Sequence, residues 1–223
     1  MINSKNSKCI TGLYVIVDPS FNKHNAIEVA KKALQGGANV IQWRDKKRPI
    51  KDQLNECKSI KNICSDFNAI FLINDYPELA KLCEADGVHL GQKDMSIQEA
   101  RKILNSNQLI GTSNATLSEA ITSVKNGADY IAVGAIFPTN TKSDTRPAGL
   151  ETLKVIRTNV TLPIVAISGI NKSNISQVIQ SGADSIAVIS AVNNANDPEK
   201  ASDELNKLIQ TAKEKYPYNS DHS

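Results

Sequence analysis

The sequence is short of aromatic residues, of long apolar runs and of charge of one sign, and each shortage excludes a class of protein. Phe, Trp and Tyr make up 4% of the chain, so the core must be mostly aliphatic. The longest apolar run, around 130–138, is shorter than the ~18 residues needed to cross a bilayer, so we expect no membrane partner. Lys and Arg exceed Asp and Glu only by 26 to 23, which excludes a strongly basic nucleic-acid binder.

Cysteine and histidine are scarce and poorly spaced for a metal. The four cysteines contain no CxxC pair and lie far in sequence from the three histidines, so zinc-ligand spacing is absent. We therefore expect reduced thiols rather than a disulfide framework. The polar segment 1–9 lacks the apolar h-region of a secretory signal, which predicts a cytoplasmic location.

Short apolar runs alternate with amphipathic stretches along the whole chain, as parallel strands joined by crossover helices do. The alternation predicts strands at 12–18, 39–44, 69–74, 87–90, 109–112, 130–134, 163–168 and 185–190. It predicts helices at 26–34, 50–67, 78–84, 96–104, 117–125, 150–157, 174–180 and 198–215. No change of composition marks a linker, so we predict an α/β fold: a single (β/α)8 TIM barrel at 10–215, with polar tails at 1–9 and 216–223.

A short echo precedes every second predicted strand. The sequences GGAN, EADG, NGAD and SGAD stand before Val40, Val88, Tyr130 and Ser185. A glycine at a helix end can adopt the left-handed conformation, and a small residue then lets the chain turn tightly into the sheet. The echo favours one closed barrel over two domains.

In such a barrel, loops leaving the carboxyl ends of the strands build the active site, and here those loops are unusually polar. Asp75 follows the third predicted strand and Asp94 lies shortly after the fourth, so their carboxylates should face each other and repel unless a cation lies between them. With no His or Cys nearby, these hard oxygen ligands suit Mg²⁺, which one or two carboxylates hold together with substrate phosphates. Taken singly, either Asp could instead cap a helix or turn.

Three polar residues after the second strand point to an anionic ligand. Gln42, Arg44 and Lys46 are spaced two apart on an extended segment and so share one side. A guanidinium grips phosphate oxygens through paired hydrogen bonds and an ammonium adds a mobile charge, so with Mg²⁺ this set suits a diphosphate. Lys142, in the sixth loop, could neutralise the same ligand from the far side.

The loops after strands seven and eight suggest a second anion site. Gly169, with the turn at Ile189 and Ser190, occupies the place where such barrels commonly bind one phosphate through backbone N–H groups. Thr139 and Thr141 offer hydroxyls to the same ligand. A diphosphate pocket and a monophosphate pocket at one barrel mouth predict two small-molecule substrates.

Specific motifs cover most of the chain: LYVIVD at 13–18, QWRDK at 42–46, LIND at 72–75, ADGVHLGQKDM at 85–95, VGAIFPTNTK at 133–142 and AVIS at 187–190. On these motifs the chain resembles the thiamine-phosphate synthase family. That family joins hydroxymethylpyrimidine diphosphate to hydroxyethylthiazole phosphate, gives thiamine phosphate and pyrophosphate, and requires Mg²⁺. The resemblance implies a magnesium-dependent transferase of thiamine biosynthesis.

The resemblance also implies roles for residues at matching positions. The implied contacts to the pyrimidine diphosphate are Gln42, Trp43, Arg44, Asp45, Lys46, Asn74, Ser113 and Lys142. The implied contacts to the thiazole phosphate are Thr139, Asn140, Thr141, Gly169, Ile189 and Ser190, and the implied metal ligands are Asp75 and Asp94. We expect Arg44, Lys46, Lys142 and Ser113 to be catalytic, with the cations stabilising the leaving pyrophosphate.

Two departures from the family pattern keep alternatives open. Ser168 stands where the family usually has a second glycine, and Ala115 stands where a histidine often follows Ser113. A thiazole-phosphate tautomerase-like relative would be expected to use that histidine and would not need Asp75 and Asp94. A non-catalytic phosphate-binding barrel would use the loops only as a binding surface. The sequence is also compatible with a homo-oligomer.

Overall fold

Eight parallel strands close into one barrel in the computed structural model, which describes residues 9–21, 23–139 and 146–217. Neighbouring strands pair in chain order, and β8 pairs with β1. The strands are β1 Gly12–Val17, β2 Val40–Trp43, β3 Ile70–Asn74, β4 Gly87–Leu90, β5 Leu109–Asn114, β6 Tyr130–Val133, β7 Ile164–Ile167 and β8 Ser185–Val188. This architecture confirms the predicted (β/α)8 barrel.

Helices surround the strands. They are α1 Ala26–Gln35, α2 Ile50–Asp66, α3 Pro77–Leu82, α4 Ile97–Ile103, α5 Leu117–Lys125, α6 Gly149–Asn159, α7 Ile175–Gln180, α8 Ser190–Asn193 and α9 Pro198–Lys215. Side chains of Asn25, Ser96 and Thr116 accept hydrogen bonds from backbone N–H groups in the first turns of α1, α4 and α5. These caps satisfy donors that a helix start leaves without an intrahelical partner, and so fix where each helix begins.

The core has two layers. One lies between the strands and the helices and includes Phe71 and Ile131; the other fills the barrel interior and includes Tyr14, Leu72 and Tyr130. Because most strand residues are buried on both faces of the sheet, the strands appear in the sequence as nearly continuous apolar runs. That continuity is why all eight could be located from the sequence.

The eighth strand differs from its prediction. It was expected at 185–190, but β8 ends at Val188 and the chain begins α8 at Ser190. A helix of four residues is about one turn long, too short to show a helical period in the sequence. The change matters because this turn lies at the barrel mouth.

The echo before every second strand has a function that the sequence analysis missed. In each copy an Asn or Asp side chain accepts a hydrogen bond from a backbone N–H near the start of the preceding odd-numbered strand. The pairs are Asn39 with Leu13 at 3.1 Å, Asp86 with Phe71 at 2.8 Å, Asp129 with Ile110 at 2.7 Å and Asp184 with Ile164 at 2.7 Å. We call these four contacts the base clamps, because they join strands at the end of the barrel opposite the mouth.

Each acidic clamp residue is paired with a cation from an even-numbered helix. Lys61 of α2 contacts Asp86, Arg101 of α4 contacts Asp129 and Arg157 of α6 contacts Asp184, at 3.0, 2.7 and 2.8 Å. The remaining clamp uses Asn39, a neutral amide that needs no counter-charge. The clamps are therefore local units repeated around the base.

Other predictions concern cysteine, membranes and chain ends. No disulfide joins any of the four cysteines, all of which lie in the described part of the chain, and Cys57, Cys64 and Cys83 are buried, where reduced core thiols were expected. Among the described residues, no helix has both the length and the apolar character needed to span a membrane. Most of each predicted tail, residues 1–8 and 218–223, lies outside the described residues, so the domain limits stay predictions.

Candidate active site

The segment that follows β2 alternates its side chains between the barrel mouth and the helices. Gln42 and Arg44 line a pocket inside the mouth, and the Lys46 ammonium reaches Asp75 at the end of β3. The shared side predicted for these three residues is therefore confirmed.

Trp43 and Asp45 point the other way. The Trp43 indole is 1% exposed and donates to Gln53 Oε1 at 2.8 Å on α2. Asp45 accepts from the backbone N–H groups of Lys47 and Arg48 and from the Arg48 side chain. Burial alone would raise the pKa of Asp45, but these hydrogen bonds hold it below its ordinary value. Alternation thus turns the side chains of Trp43 and Asp45 away from the mouth, where they brace the loop, and the substrate contacts implied for these two residues stay a prediction.

Asp75 and Asp94 come together at the mouth, as the sequence predicted. Asp75 has a positive φ of 66°, and its carboxylate lies 2.8 Å from Lys46 Nζ. Burial raises the pKa of Asp75; Lys46 opposes the rise, and the adjoining Asp94 carboxylate, within hydrogen-bonding reach, adds to it. Asp94 is exposed and also accepts from Gly91 N at 2.7 Å. Two carboxylates in contact are costly unless they share a proton or a cation.

This pair fits the predicted magnesium ion. Among the described residues, no group of three or more His, Cys, Asp or Glu side chains could hold a metal, so the chain offers Asp75 and Asp94 but not a full cage. Mg²⁺ is commonly held by one or two carboxylates, with water and substrate phosphates completing its coordination. The donor set is hard oxygen only, as that ion prefers.

Arg44 is held by a buried acid that the sequence analysis did not assign. Its guanidinium forms an ion pair with Asp18, which directly follows β1 and is 4% exposed. Asp18 also accepts from Ser20 N at 2.9 Å. An arginine anchored on one side presents a fixed guanidinium on the other, which is the arrangement that paired hydrogen bonds to phosphate require.

A hydrogen-bonded chain crosses the barrel interior beneath the mouth. Gln42 Nε2 donates to the Tyr14 hydroxyl at 2.6 Å, which lies 3.3 Å from the Tyr130 hydroxyl. His89 Nδ1 lies 2.9 Å from Tyr130, and His89 Nε2 lies 2.9 Å from Ser113 Oγ. If each hydroxyl accepts from the residue before it in this chain, starting at Gln42, and donates to the next, His89 Nδ1 accepts from Tyr130. His89 Nε2 then carries the ring proton and donates it to Ser113. That order leaves the Ser113 hydrogen to be donated to a ligand in the mouth.

Burial keeps the two tyrosines of this chain neutral. The tyrosine hydroxyls are fully enclosed, and burial raises the pKa of both Tyr14 and Tyr130 above the ordinary value. Neither tyrosine therefore ionises near neutral pH. Four members of the chain, Tyr14, Gln42, His89 and Ser113, border one pocket together with Arg44 and Asn74, and we call it the inner pocket.

A second pocket, which we call the rim pocket, lies over the ends of β7 and β8. It is lined by Thr139, Ile167, Ser168, Gly169, Ile170, Ala187, Val188, Ile189, Ser190 and Ala191. Four of these, Thr139, Gly169, Ile189 and Ser190, are residues for which the resemblance implies contacts to the thiazole phosphate. The two pockets share Ile167, Ala187 and Ile189, so ligands in them would lie side by side.

The two residues after β7 are both in the left-handed region. Gly169 has a φ of +67°, and a Cβ there would lie 2.6 Å from Phe137 Cβ and 2.7 Å from Pro138 O. Glycine is thus required first by the close approach of the sixth loop, and only then by any ligand. Ser168 has a φ of +81°, a conformation that glycine adopts without strain. The family's usual glycine at this position has a backbone reason.

Three predicted site residues, Asn140, Thr141 and Lys142, lie outside the described residues, so their roles stay predictions. The residues that sequence reasoning missed are Asp18, Tyr14, Tyr130 and His89. Asp18 carried a usable signal, since it directly follows an apolar run just as Asp75 does. The tyrosines and His89 lie within apolar runs, where they are typical of core residues.

Comparison with known proteins decides the family. A family model described as thiamine monophosphate synthase matches residues 13–192. The chain belongs to the thiamine monophosphate synthase family. Two relatives named thiamine-phosphate synthase support this assignment. The Pyrococcus furiosus protein is 42% identical over 89% of this chain and 94% of its own length. The Clostridium novyi protein is 43% identical over 86% of this chain and 96% of its own.

Solved structures agree with the family assignment. The thiamine phosphate pyrophosphorylase of Pyrococcus furiosus superimposes with a TM-score of 0.85 at 40% identity, covering 92% of this chain and 98% of that one. A 3-hexulose-6-phosphate synthase, 17% identical with a TM-score of 0.64, shows the fold alone. Family membership confirms the resemblance inferred from the motifs and makes the chain an enzyme of the transferase class.

Proposed function

We propose that this enzyme transfers the aminopyrimidine methylene group of hydroxymethylpyrimidine diphosphate to the ring nitrogen of hydroxyethylthiazole phosphate. The bond from methylene carbon to diphosphate oxygen breaks and its electron pair leaves with pyrophosphate. The thiazole nitrogen supplies the pair for the new carbon–nitrogen bond, giving thiamine phosphate. The supporting observation is that two pockets share one wall at the barrel mouth.

The inner pocket suits the pyrimidine diphosphate. Arg44 and Lys46 carry positive charge on the side of the mouth where Asp75 and Asp94 meet, and Asn74 and Ser113 supply hydrogen-bonding groups. Electron-rich aminopyrimidine can delocalise the positive charge left on the methylene, so the reaction needs no enzymic nucleophile. Fixed cations facing the leaving group stabilise the charge that develops there.

Asp75 and Asp94 would hold Mg²⁺, which when bound supplies charge neutralisation for the leaving diphosphate. In its absence Lys46 occupies part of that role, since its ammonium already contacts Asp75. The Lys46 ammonium, held beside Asp75, would supply positive charge near the phosphate oxygens and keep net negative charge at the mouth low.

The rim pocket suits the thiazole phosphate. The Ser168 and Gly169 turn and the start of α8 at Ser190 bound it, with the Thr139 hydroxyl nearby. Because its wall at Ile167, Ala187 and Ile189 is shared with the inner pocket, the thiazole nitrogen can lie next to the methylene carbon. Holding both substrates in line adds an entropic advantage of up to several kcal/mol.

The decisive experiment mixes both substrates with enzyme and Mg²⁺ and measures pyrophosphate release. Release is expected only when both substrates and the ion are present, and chelation should abolish it. Pyrophosphate release without the thiazole phosphate would indicate a hydrolase, and no release at all would exclude the proposal.

Lys142 offers a test of the leaving-group role. Lys142→Ala should lower turnover much more than it weakens binding of the thiazole phosphate, because the cation acts on charge that develops as the diphosphate departs. Equal losses in turnover and thiazole-phosphate affinity would argue against that role.

The two alternatives make different demands on the mouth. A tautomerase-like relative would not need the meeting of Asp75 and Asp94, and a purely binding barrel would release no pyrophosphate. We infer that the partners are the two small substrates. A cytoplasmic location and a homo-oligomeric state remain part of this proposal, to be checked by fractionation and by light scattering.

A further inference from the structure

A buried amide joins the two halves of the mouth. Asn193, the last residue of α8, is 3% exposed and uses its whole side chain. Its Nδ2 donates to Ile16 O and to Ile189 O, both at 2.8 Å, and its Oδ1 accepts from Asp18 N at 3.1 Å. One side chain thus ties the end of β1 to the turn that follows β8.

The amide lies where two strands part. Pairing between β1 and β8 ends at Val15 with Val188, whereas β1 continues beside β2 through Val17 with Trp43. The next carbonyl of β1, that of Ile16, is the one that accepts from Asn193. The amide therefore replaces the strand ladder at the point where the barrel opens into its pockets.

Both ends of this connection reach a substrate pocket. At one end, Asp18 forms the ion pair with Arg44 that holds the guanidinium at the inner pocket. At the other end, Ile189 borders both the inner and the rim pocket. A shift of Asn193 would move the diphosphate-binding arginine and the wall of the second pocket together.

We propose that Asn193 is a positioning residue for the transfer reaction. It sets the Asp18–Arg44 pair on one side and the Ile189 turn on the other, so that affinity for both substrates depends on one buried amide. This inference rests on the proposed function and deepens it. It assigns the side chain no contact with substrate.

The first test is Asn193→Ala, with KM measured separately for each substrate at saturating Mg²⁺. A variant that is only less stable has fewer folded molecules, which lowers apparent kcat but leaves KM unchanged. A positioning role predicts that both KM values rise, each by about ten-fold, because displaced binding groups weaken contact with each ligand. A fall in thermal stability with both KM values unchanged would overturn the proposal.

Asn194→Ala is the matched control. Asn194 is the next residue, its side chain is exposed, and the contact that Lys23 makes with it is to the backbone oxygen. Both KM values should equal those of the unaltered enzyme. If this control raises them as much as Asn193→Ala does, the effect belongs to the segment and the proposal fails.

Asp18→Asn tests only the connection to Arg44 at the inner pocket and leaves the Asn193 side chain unchanged. The backbone N–H that donates to Asn193 is kept, while the ion pair with Arg44 is lost. KM for the pyrimidine diphosphate should rise and KM for the thiazole phosphate should stay constant. This variant decides the question if Asn193→Ala fails to fold: an unchanged pyrimidine-diphosphate KM, or an equal rise in both, would refute the connection.

Failure of the proposed function would be seen separately. If the unaltered enzyme releases no pyrophosphate from the two substrates, its affinity for pyrophosphate with Mg²⁺, measured by calorimetry, still reports how Arg44 is positioned. Asn193→Ala and Asp18→Asn should both weaken that binding relative to Asn194→Ala. Equal affinity in all three would overturn the positioning role whatever the reaction is.

Discussion

Replacing Ser168 by glycine should stabilise the enzyme, because the residue has a φ of +81°. A non-glycine residue held in such a conformation costs about 1–3 kcal/mol. Glycine offsets part of the relief, since it adds about 0.4–1 kcal/mol of chain entropy to the unfolded state. The expected net gain is about 1–2 kcal/mol, which corresponds to roughly 2–8 °C in melting temperature for a chain of this length.

Urea unfolding followed by Trp43 fluorescence measures the gain, because Trp43 is the chain's single tryptophan and is 1% exposed. Ser168→Ala is the comparison, since alanine keeps the Cβ and loses only the hydroxyl. The glycine variant should be more stable than the alanine variant by about 1–2 kcal/mol. If the two unfold at the same urea concentration, positive φ is not a source of strain here and the reasoning is refuted.

The same two variants separate two effects of Ser168 on the rim pocket. If its hydroxyl donates to the thiazole phosphate, both replacements raise KM for that substrate. If its Cβ crowds the phosphate, only glycine lowers KM.

Burial raises the pKa of Asp75, so the folded state binds the proton of this carboxyl more tightly than the unfolded state does. Ionised Asp75 therefore costs stability at neutral pH, and this cost is relieved as the pH falls through the raised pKa. In metal-free buffer Asp75→Asn should therefore be more stable than the native sequence at pH 7 and lose that advantage in acid, as urea titrations would show; lower stability at pH 7 would contradict this. Asp129→Ala should cost about 2 kcal/mol by chemical denaturation, because it removes a charged acceptor from the base, whereas Asp129→Asn should cost less than about 1 kcal/mol, as Asn39 fills the equivalent place with an amide. His89→Ala and Ser113→Ala should each lower kcat/KM by about 10- to 100-fold, and the double variant should be no worse than either, since both break one chain; additive losses in the double-mutant cycle would argue for separate roles.

The fold could be predicted from the sequence because strands buried on both faces leave continuous apolar runs, each followed by a helical pattern. The polar positions at the mouth were predictable for the same reason, since each comes directly after such a run. Alternation of side chains along 42–46 is a local rule, and it placed Gln42, Arg44 and Lys46 together. Applied to Trp43 and Asp45, the same rule predicts side chains that point away from the mouth, whereas the resemblance implied contacts to substrate.

What could not be predicted depends on contacts between distant segments. Asp18 and Asn193 lie at opposite ends of the chain, and only closure of the barrel brings them within 3.1 Å. The base clamps are visible in the sequence as the repeated echo, but nothing in GGAN, EADG, NGAD or SGAD indicates that its Asn or Asp side chain bonds to the preceding strand. Ser168 was noticed as a departure, and its cost became apparent only with its φ.

The base clamps lie at the far end of the barrel from the reacting groups. The base clamps therefore stabilise the fold at one end of the barrel, while groups at the mouth destabilise it at the other. A mouth supported in this way can tolerate touching carboxylates and a serine in a conformation natural to glycine. Selection can then alter the loops for a new ligand while the floor that carries them is left as it is.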